Sequence, residues 1–527
     1  MGMNEKQKLG LGRQDFVSMR EKGFVYVDKT QYIKRLLDGP GFYFLSRPRR
    51  FGKSLFISTL ENFFKGKRSI FKDLWIDRNY DEWVEYPVVR IDLSSGSYSE
   101  ADGLQIRLIT ILNEIANIYG VSATGKFPGD IFHNLIHKLK EKYRRKVVVL
   151  VDEYEKPLLE SLNEPHFDRY SKELRDFYSI LKNNEQNLEL LFITGVTRFG
   201  HLNIFSGLNN LTDISLEDEY AAICGITFEE ITEFLAPSVE FLAKNFNLTI
   251  KETLGRLKDF YDGYHFSGSL IDIYNPYSLL SCLDVCRFTD KWFQTGSSLY
   301  LLDRLKENNF DLWQLEGVST NESTLLGIDA SMRDSITLLY QSGYLTIKEF
   351  DSTSGYYTLG LPNREVSTSL YQAIIPYYSN SKKQIQPSDF NLIREWLKKG
   401  EVEKFIDWLQ QFFNRIPSDV KLLPLRNRFK FESDFQFIIF SILYLACGAE
   451  KVSLEDSTSC GKMDLVVMNE KFIYIFEFKI GEDALEAINQ IERKGYEMKW
   501  EADSRKIIKV GISFSSERRC ISDCIIK

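Results

Sequence analysis

The chain has 527 residues, 43% apolar and 14% aromatic, so it is too long for one hydrophobic core and apolar enough to fill several. This composition excludes a disordered protein, and the net charge of −7 excludes a protein that coats nucleic acid over its whole surface. No apolar run reaches the roughly 18 residues of a membrane span, and the first residues, MGMNEKQKLGLGRQDF, lack the apolar core of a signal peptide, so we expect a cytoplasmic protein without a membrane partner.

Between about residues 40 and 215, short apolar runs alternate with helical stretches. Nearly continuous apolar runs that are separated by helices are typical of a parallel sheet covered on both faces. The sequence therefore predicts a mostly parallel α/β domain in this region. The runs are FYFLS (42–46), VVRIDLS (88–94), VVVLVDEY (147–154) and LELLFITG (188–195).

The first of these runs leads through a tight loop, RPRRFGKS, into an amphipathic helix. Gly52 would let backbone N–H groups approach a phosphate, Lys53 would neutralise its charge, and the Ser54 hydroxyl could ligate Mg²⁺. The first glycine of the G-x-x-x-x-G-K-[ST] pattern is replaced by Arg47, and a bare GKS would be weak evidence. We expect Arg50 to contribute to nucleotide binding as well.

About a hundred residues downstream, a buried strand ends in Asp152 and Glu153. Asp152 could hold Mg²⁺ through water, and Glu153 could polarise the water that attacks a γ-phosphate. An acidic pair beside a strand is also common where a helix begins, so the pair supports ATP binding only together with the preceding GKS. The intervening run 88–94 fits the branch of P-loop proteins in which an added strand separates the two motifs and a glutamate does the catalysis.

The next run, LLFITGVTRFG, ends in Thr194, Thr197 and Arg198, where a γ-phosphate sensor and an arginine finger would lie. Arg198 could equally be a surface ion-pair residue. If it acts across a subunit boundary, the protein must form a homo-oligomer.

From about 227 to 380 the pattern becomes helical, with a small winged or strand-containing piece around LLYQSGYLTIKEF and YYTLGLPN. We interpret this region as a lid or coupling module. A further helical stretch, FNLIREWLKKGEVEKFIDWLQQFFNRI, leads to a final α/β region. The predicted domains are a P-loop ATPase domain (1–225), a helical or winged region (226–380), a helical connector (381–430) and a C-terminal α/β domain (431–527).

In that last domain, GKMDLVVMNEKFIYIFEFK predicts an antiparallel hairpin with its turn at Glu470 and Lys471. Opposed residues share a sheet face about 5 Å apart, and Lys479 lies on the same face as Glu477. The register predicts three pairs, namely Leu465 with Phe476, Val467 with Tyr474, and Asp464 with Glu477.

Two carboxylates at that separation repel each other unless a cation lies between them, and Mg²⁺ (or Mn²⁺) with its retained waters would suit Asp464 and Glu477. Lys479 would then orient or deprotonate a water and stabilise charge on a phosphate. Glu432 on the preceding helix could be a further ligand, and Gln490 could contact metal-bound water or phosphate. The competing interpretation is an edge hairpin with an ordinary Glu–Lys ladder, although charges that interrupt so apolar a strand are costly without a task.

Over nearly its whole length the chain resembles a bacterial and archaeal family that joins an AAA-ATPase-like domain to a PD-(D/E)XK nuclease domain. RPRRFGKS is the form that the phosphate loop takes in this family, while GKMD stands where the family usually has GR-x-D before the metal aspartate. The blocks that carry the likeness are YVDKT (26–30), FLSRPRRFGKS (44–54), VVLVDEYEKP (148–157), FITGVTRF (192–199), YDGYHF (261–266), YNPYSLL (274–280), WFQTG (292–296), QSGYLTI (341–347), LPNREV (361–366), GKMDLVV and YIFEFK.

The resemblance implies ATP binding by the first domain and Mg²⁺-dependent phosphodiester cleavage by a restriction-endonuclease-like last domain. We expect a nuclease gated by nucleotide, with DNA favoured over RNA as substrate and defence against foreign DNA as a hypothesis for its role. The alternative is a nucleotide-dependent, oligomerising switch or signalling scaffold whose C-terminal domain only binds nucleic acid. A third interpretation is a structural module with vestigial sites.

Overall fold

The computed structural model describes residues 6–162, 164–197, 204–205, 208–291, 305, 315–327, 335–379, 385–414, 432–448, 451–458, 461–515, 517–518 and 520–527. The chain divides into two compact units, each described here by itself. The first comprises Met1–Lys291 with Leu315–Asn363, and the second comprises Trp292–Gln314 with Arg364–Lys527. The region predicted as a lid is thus shared between the units, and the boundaries of the four predicted domains stay predictions.

The first unit is built on a five-stranded sheet in which every neighbouring pair of strands is parallel, as the sequence predicts. Its strand order is β2-β3-β4-β1-β5. The strands at 147–152 and 188–195 are buried at every position except Glu189 because helices cover both faces, which explains their apolar runs. The strands are β1 (Phe42–Ser46), β2 (Val88–Asp92), β3 (Val147–Asp152), β4 (Leu188–Gly195) and β5 (Thr212–Asp213).

The strand order shows which strand lies between β1, which leads into the RPRRFGKS loop, and β3, which ends in Asp152. One strand does separate β1 from β3, but that strand is β4, whereas the run at 88–94 forms β2 at the edge of the sheet beyond β3. The ends of β1, β3 and β4 are therefore next to one another. A ligand site at this edge of the sheet draws residues from all three strands.

Helices with apolar residues at helical spacing pack against the sheet and fill one core between it and α5, α6 and α8. The helices up to β4 are α1 (Phe16–Glu21), α2 (Gln31–Asp38), α3 (Lys53–Phe64), α4 (Trp75–Asn79), α5 (Gly103–Ile118), α6 (Pro128–Tyr143), α7 (Lys156–Glu160) and α8 (Phe167–Asn183). Short 3₁₀ turns lie at Arg68–Phe71, Glu185–Asn187 and Asp218–Tyr220.

The rest of the first unit is helical with a small three-stranded sheet, which confirms the predicted strand-containing piece. Thr227 with Glu230 and Thr249 with Glu252 form capping boxes that begin two of the helices. The elements are α9 (Phe228–Phe234), α10 (Ala236–Phe246), α11 (Ile250–Tyr261), α12 (Pro276–Val285), β6 (Val318–Asn321), α13 (Glu322–Leu325), α14 (Ser335–Gln341), β7 (Thr346–Asp351) and β8 (Tyr356–Gly360).

The second unit is α/β, with a five-stranded sheet in the order β13-β12-β11-β10-β9. Only β11 and β12 are parallel, so the sheet is mixed. The helical stretch before it breaks at Gly400, whose φ of +80° ends α16. The elements are α15 (Arg364–Ser379), α16 (Pro387–Lys399), α17 (Val402–Asn414), α18 (Glu432–Cys447), β9 (Val452–Thr458), β10 (Gly461–Met468), β11 (Phe472–Ile480), α19 (Ala484–Lys494), a 3₁₀ turn at Tyr496–Trp500, β12 (Lys506–Ser515) and β13 (Cys520–Ile526).

The cysteines that the structure describes are all free thiols. Within the described ranges, no helix combines the length and the apolar character that crossing a bilayer requires.

Candidate functional sites

The loop between β1 and α3 has the backbone of a phosphate cradle. Gly52 has a φ of +99° directly before α3, a conformation that costs an L-residue energy although a Cβ there would meet no atom within 4 Å. The N–H groups from Gly52 to Leu55 form the first turn, and none has an acceptor among the described residues. An oxyanion fits four such donors at the positive end of a helix dipole.

Lys53 lies across this loop rather than in solvent. Its side chain is buried, and Nζ donates to the carbonyl oxygens of Arg47 at 2.8 Å and Pro48 at 3.1 Å. Burial lowers the pKa of Lys53, against the opposing charges of Glu155 and Asp152. A buried ammonium that is held by neutral carbonyls favours an anionic ligand.

Asp152 and Thr194 join the ends of β3 and β4. Asp152 is 1% exposed, and the Thr194 hydroxyl donates to its Oδ1 at 2.9 Å. The sequence predicted both residues for the nucleotide site, and the strand order makes them neighbours.

Glu153, the predicted catalytic glutamate, is half-buried and has a φ of +50°. Burial raises its pKa, and the charge of Lys53 opposes that shift. A left-handed backbone is uncommon for glutamate, and such strain is concentrated at ligand sites.

Glu155 is a residue of this site that sequence reasoning missed. It is 2% exposed, its Oε1 accepts the N–H of Val196 at 2.6 Å, and its buried Oε2 has no hydrogen-bond partner among the residues that the structure describes. Burial raises the pKa of Glu155 to about 7. The available signal was the third acid of the DEYEKP block.

The arginines of the loop play different parts. Arg47, whose role the sequence left open, is buried and donates to the backbone oxygens of Ser46, Ser215 and Tyr220 at 2.8 to 3.0 Å, so it supports the loop from behind. Arg50 lies 3.7 Å from the ring centroid of Tyr277. The predicted arginine finger, Arg198, and its neighbours up to residue 203 lie outside the described residues.

The hairpin in the second unit has the predicted register. Leu465 pairs with Phe476 and Val467 with Tyr474, but the ladder ends at Leu465 and does not include the predicted pair of Asp464 with Glu477. Asp464 follows at the open end, where its Oδ2 accepts the N–H of Phe478 at 2.8 Å. The Asp464 side chain therefore accepts a hydrogen bond from the β11 backbone in place of a strand carbonyl, and it lies at the same end of β11 as Glu477.

Glu477 is fully buried, and its neighbours are Gln490, Lys479 and Asp464. Gln490 of α19 donates to its Oε1, and Lys479 Nζ lies 3.7 Å from the same oxygen. Its Oε2 is buried and has no hydrogen-bond partner within the described part of the chain. Burial and the charge of Asp464 raise the pKa of Glu477 well above its usual range.

A divalent cation fits this pair better than a proton does, because it would compensate both carboxylates and use the unpartnered oxygen. Glu432 begins α18 and is half-buried, and burial raises its pKa. The described residues contain no cluster of three or more His, Cys, Asp or Glu side chains placed to hold a metal. Glu432 is thus not gathered into a three-carboxylate site, and Mg²⁺ on Asp464 and Glu477 would keep several waters.

Gln490 was predicted to contact metal-bound water or phosphate, whereas its observed partner is Glu477 itself. The close approach of α19 to the sheet explains this contact. A Cβ at Gly511 would lie 2.6 Å from the Ala484 carbonyl oxygen, so only glycine at this position lets the helix pack so near β12.

Comparisons with known proteins assign a domain family to each of the two regions that contain these sites. Residues 10–205 match the family model of a predicted AAA-ATPase, and residues 430–524 match that of the PD-(D/E)XK nuclease superfamily. An uncharacterized protein in the vnfD 5′ region of Azotobacter chroococcum is 31% identical over 99% of both chains.

Among solved structures, the ORC1 protein of Aeropyrum pernix in complex with DNA is 12% identical, with 65% of this chain and 91% of that chain covered and a TM-score of 0.26. At that score the likeness carries no argument about fold or function.

Proposed function

The chain belongs to the family that joins a predicted AAA-ATPase domain to a PD-(D/E)XK nuclease domain, and from this premise we propose that it is a metal-dependent nuclease gated by ATP. The two domain families support nucleotide binding and nucleic-acid cleavage in one chain. The gating, the residues and the choice of Mg²⁺ are our own proposals.

In the first unit, the N–H groups of Gly52–Leu55 and the ammonium of Lys53 would bind the β- and γ-phosphates. Ser54 and Asp152 would hold Mg²⁺, which screens phosphate charge when bound. Glu153 would accept a proton from the attacking water at its carboxylate, and Thr194 would keep Asp152 in place.

In the second unit, Asp464 and Glu477 would hold Mg²⁺ or Mn²⁺, and Gln490 would fix the rotamer of Glu477. The bound cation lowers the pKa of a water and withdraws charge from the phosphate. Lys479 would hold the water or the phosphate oxygen with its ammonium. Glu432 is a weaker candidate for a role through water.

The observation that carries the proposal is the buried Glu477, which lies beside Asp464 and Lys479 and has one oxygen that no described residue hydrogen-bonds. A buried carboxylate without full compensation is costly, and proteins keep such groups where a ligand uses them. An ordinary Glu–Lys ladder needs neither this burial nor the neighbouring aspartate.

The test is cleavage of plasmid DNA, linear DNA and RNA with Mg²⁺ or Mn²⁺, with and without ATP. We expect DNA to be cut by the wild type with ATP, and not by Asp464→Ala or Lys53→Ala. Glu470→Ala, on the exposed turn of the same hairpin, is the matched control and should cut normally. ATP binding with no cleavage of any substrate would instead support a nucleotide-dependent oligomerising switch.

We further propose that the protein acts in the cytoplasm against foreign DNA, a role that suits a chain joining an ATPase domain to a nuclease domain. Cells that carry the wild type should restrict phage, whereas cells that carry Asp464→Ala should not. Equal plaque counts would remove the proposed role in defence without affecting the proposed chemistry.

A further inference from the structure

Three side chains of the phosphate loop pack on aromatic rings that lie between residues 264 and 277 of the first unit. We call Tyr264, Phe266 and Tyr277 the aromatic clamp. The Phe51 ring meets those of Tyr264 and Phe266 edge-on, with centroids 4.9 and 5.2 Å apart. The arginines add two contacts, with the Arg47 guanidinium 4.3 Å from Phe266 and that of Arg50 3.7 Å from Tyr277.

These contacts hold the loop through side chains at positions where a usual phosphate loop has a glycine or no fixed residue type. Arg47 stands where that pattern has its first glycine, and Arg50 is held on Tyr277 with a φ of +68°. The carbonyl of Phe51 also accepts the N–H of Gly225 at 3.0 Å. The shape of the loop therefore depends on where the clamp lies.

The segment Tyr261–Phe266, which carries two of the three clamp residues, also contacts the small sheet. The His265 N–H donates to the Thr346 hydroxyl at 2.7 Å, and His265 Nδ1 lies 2.6 Å from the Ile347 carbonyl oxygen. His265 Nε2 faces Asp272 Oδ1 at 2.8 Å. The segment is thus fixed to β7 by backbone and side chain together.

The segment also holds the last residues of the first unit. Asn363 Nδ2 donates to the Asp262 carbonyl oxygen at 2.7 Å. Gly263 has a φ of +83°, and a Cβ there would lie 2.3 Å from the Pro362 carbonyl oxygen, so the two backbones touch. The next residue, Arg364, begins the longer segment of the second unit, Arg364–Lys527.

We propose that Tyr261–Phe266, acting with Tyr277, transmits occupancy of the phosphate loop to the chain junction at Asn363–Arg364. This inference rests on the proposed ATP site and names the element that regulates it. A phosphate on the loop N–H groups changes the loop, the clamp follows, and the backbone at residues 361–363 shifts with it. By linkage, if ATP binding shifts the clamp, then a substitution that shifts the clamp changes the ATP affinity by the same coupling free energy.

The experiment is hydrogen exchange of the full chain with Mg²⁺, with and without a non-hydrolysable ATP analogue. In the wild type we expect altered exchange at residues 47–55, 261–266 and 361–363. Phe266→Leu should bind the analogue about tenfold more weakly and, at saturation, lose the change at 361–363 while keeping that at 47–55.

Phe246→Leu is the matched control, since Phe246 packs on Phe288 in the same helical region and does not belong to the clamp. It should behave as the wild type, and thermal melting of both variants checks that they fold. If the wild type binds the analogue and protects 47–55 without any change at 261–266 and 361–363, the inference is overturned and ATP binding stands. If nothing binds, or if Lys53→Ala responds as the wild type does, the ATP site itself is wrong and the inference falls with it.

Discussion

The phosphate loop and the hairpin site each bury a charge whose partners in the protein are incomplete, but the two charges have opposite signs. Lys53 is held by carbonyl oxygens, and burial lowers its pKa. Glu477 lies beside another carboxylate, and its pKa is raised. Both shifts favour the neutral form, and a ligand of opposite charge reverses each of them. The sign of the uncompensated charge therefore indicates the ligand, an anion in the first unit and a cation in the second.

The largest effect that tests this comparison is expected from Glu477→Gln. The substitution keeps the side-chain shape but removes the charge, so cleavage should fall on the order of 10³-fold or more. Because glutamine is neutral beside Asp464 without having to bind a proton, the metal-free protein should melt no lower than the wild type. A variant that still binds Mn²⁺ by calorimetry and cuts DNA would break the cation half of the comparison.

The corresponding change at the anion site is Lys53→Ala, which should weaken ATP binding at least roughly a hundredfold. Lys67→Ala, an exposed lysine just beyond α3, serves as its control and should bind normally. Metal binding by the second unit should be unaffected in both variants. Equal ATP affinity of Lys53→Ala and the wild type, measured by titration calorimetry, would show that the loop holds no phosphate.

A smaller effect should appear in the pH dependence of metal binding. The raised pKa means that Glu477 holds a proton near neutral pH, and a cation must displace that proton. The rise in melting temperature produced by Mg²⁺ should therefore grow as the pH increases from about 6 to 9. A metal-induced shift that is constant over this range, or one that shrinks, would contradict the protonation of the pair.

The smallest effect is expected at Glu155, which can sharpen the comparison because it is an acid inside the anion site. Its folded pKa of about 7 lies above the unfolded value, so its stabilising contribution is complete at low pH and is lost as the pH rises through 7. Glu155→Gln keeps an acceptor for the Val196 N–H but does not titrate. The free energy of unfolding of this variant, relative to that of the wild type, should therefore increase between about pH 5 and 8, by roughly 3 kcal/mol at most. Urea unfolding measures the difference.

Glu164→Gln, an exposed acid in the segment after α7, is the control and should show no such trend. If the stability difference between Glu155→Gln and the wild type does not vary with pH, then Glu155 does not titrate in this range.

Local pattern was sufficient to predict the hairpin register and the parallel sheet. Alternating side chains and a short turn fix which residues are opposed, so the partners of Leu465 and Val467 could be calculated in advance. Four buried runs likewise became β1 to β4, with two of them identical in extent. In both cases the information lies within a few residues of the position concerned.

The remaining features depend on contacts between distant parts of the chain, which no spacing rule describes. Arg47 is fixed by carbonyls near residue 215 and by Phe266, and Glu155 by the backbone after β4. Gln490 reaches Glu477 only because Gly511 admits α19. The order of β2 and β4 in the sheet was equally invisible, since both are buried strands in sequence.

The most direct measurement is the single-turnover rate of DNA cleavage as a function of ATP concentration, compared with the ATP affinity measured under the same conditions. Gating predicts that the rate rises along the binding curve, with a midpoint equal to the Kd, and that Lys53→Ala stays at the basal rate at every concentration. A rate that does not change with ATP in the wild type, although ATP binds, would contradict the account.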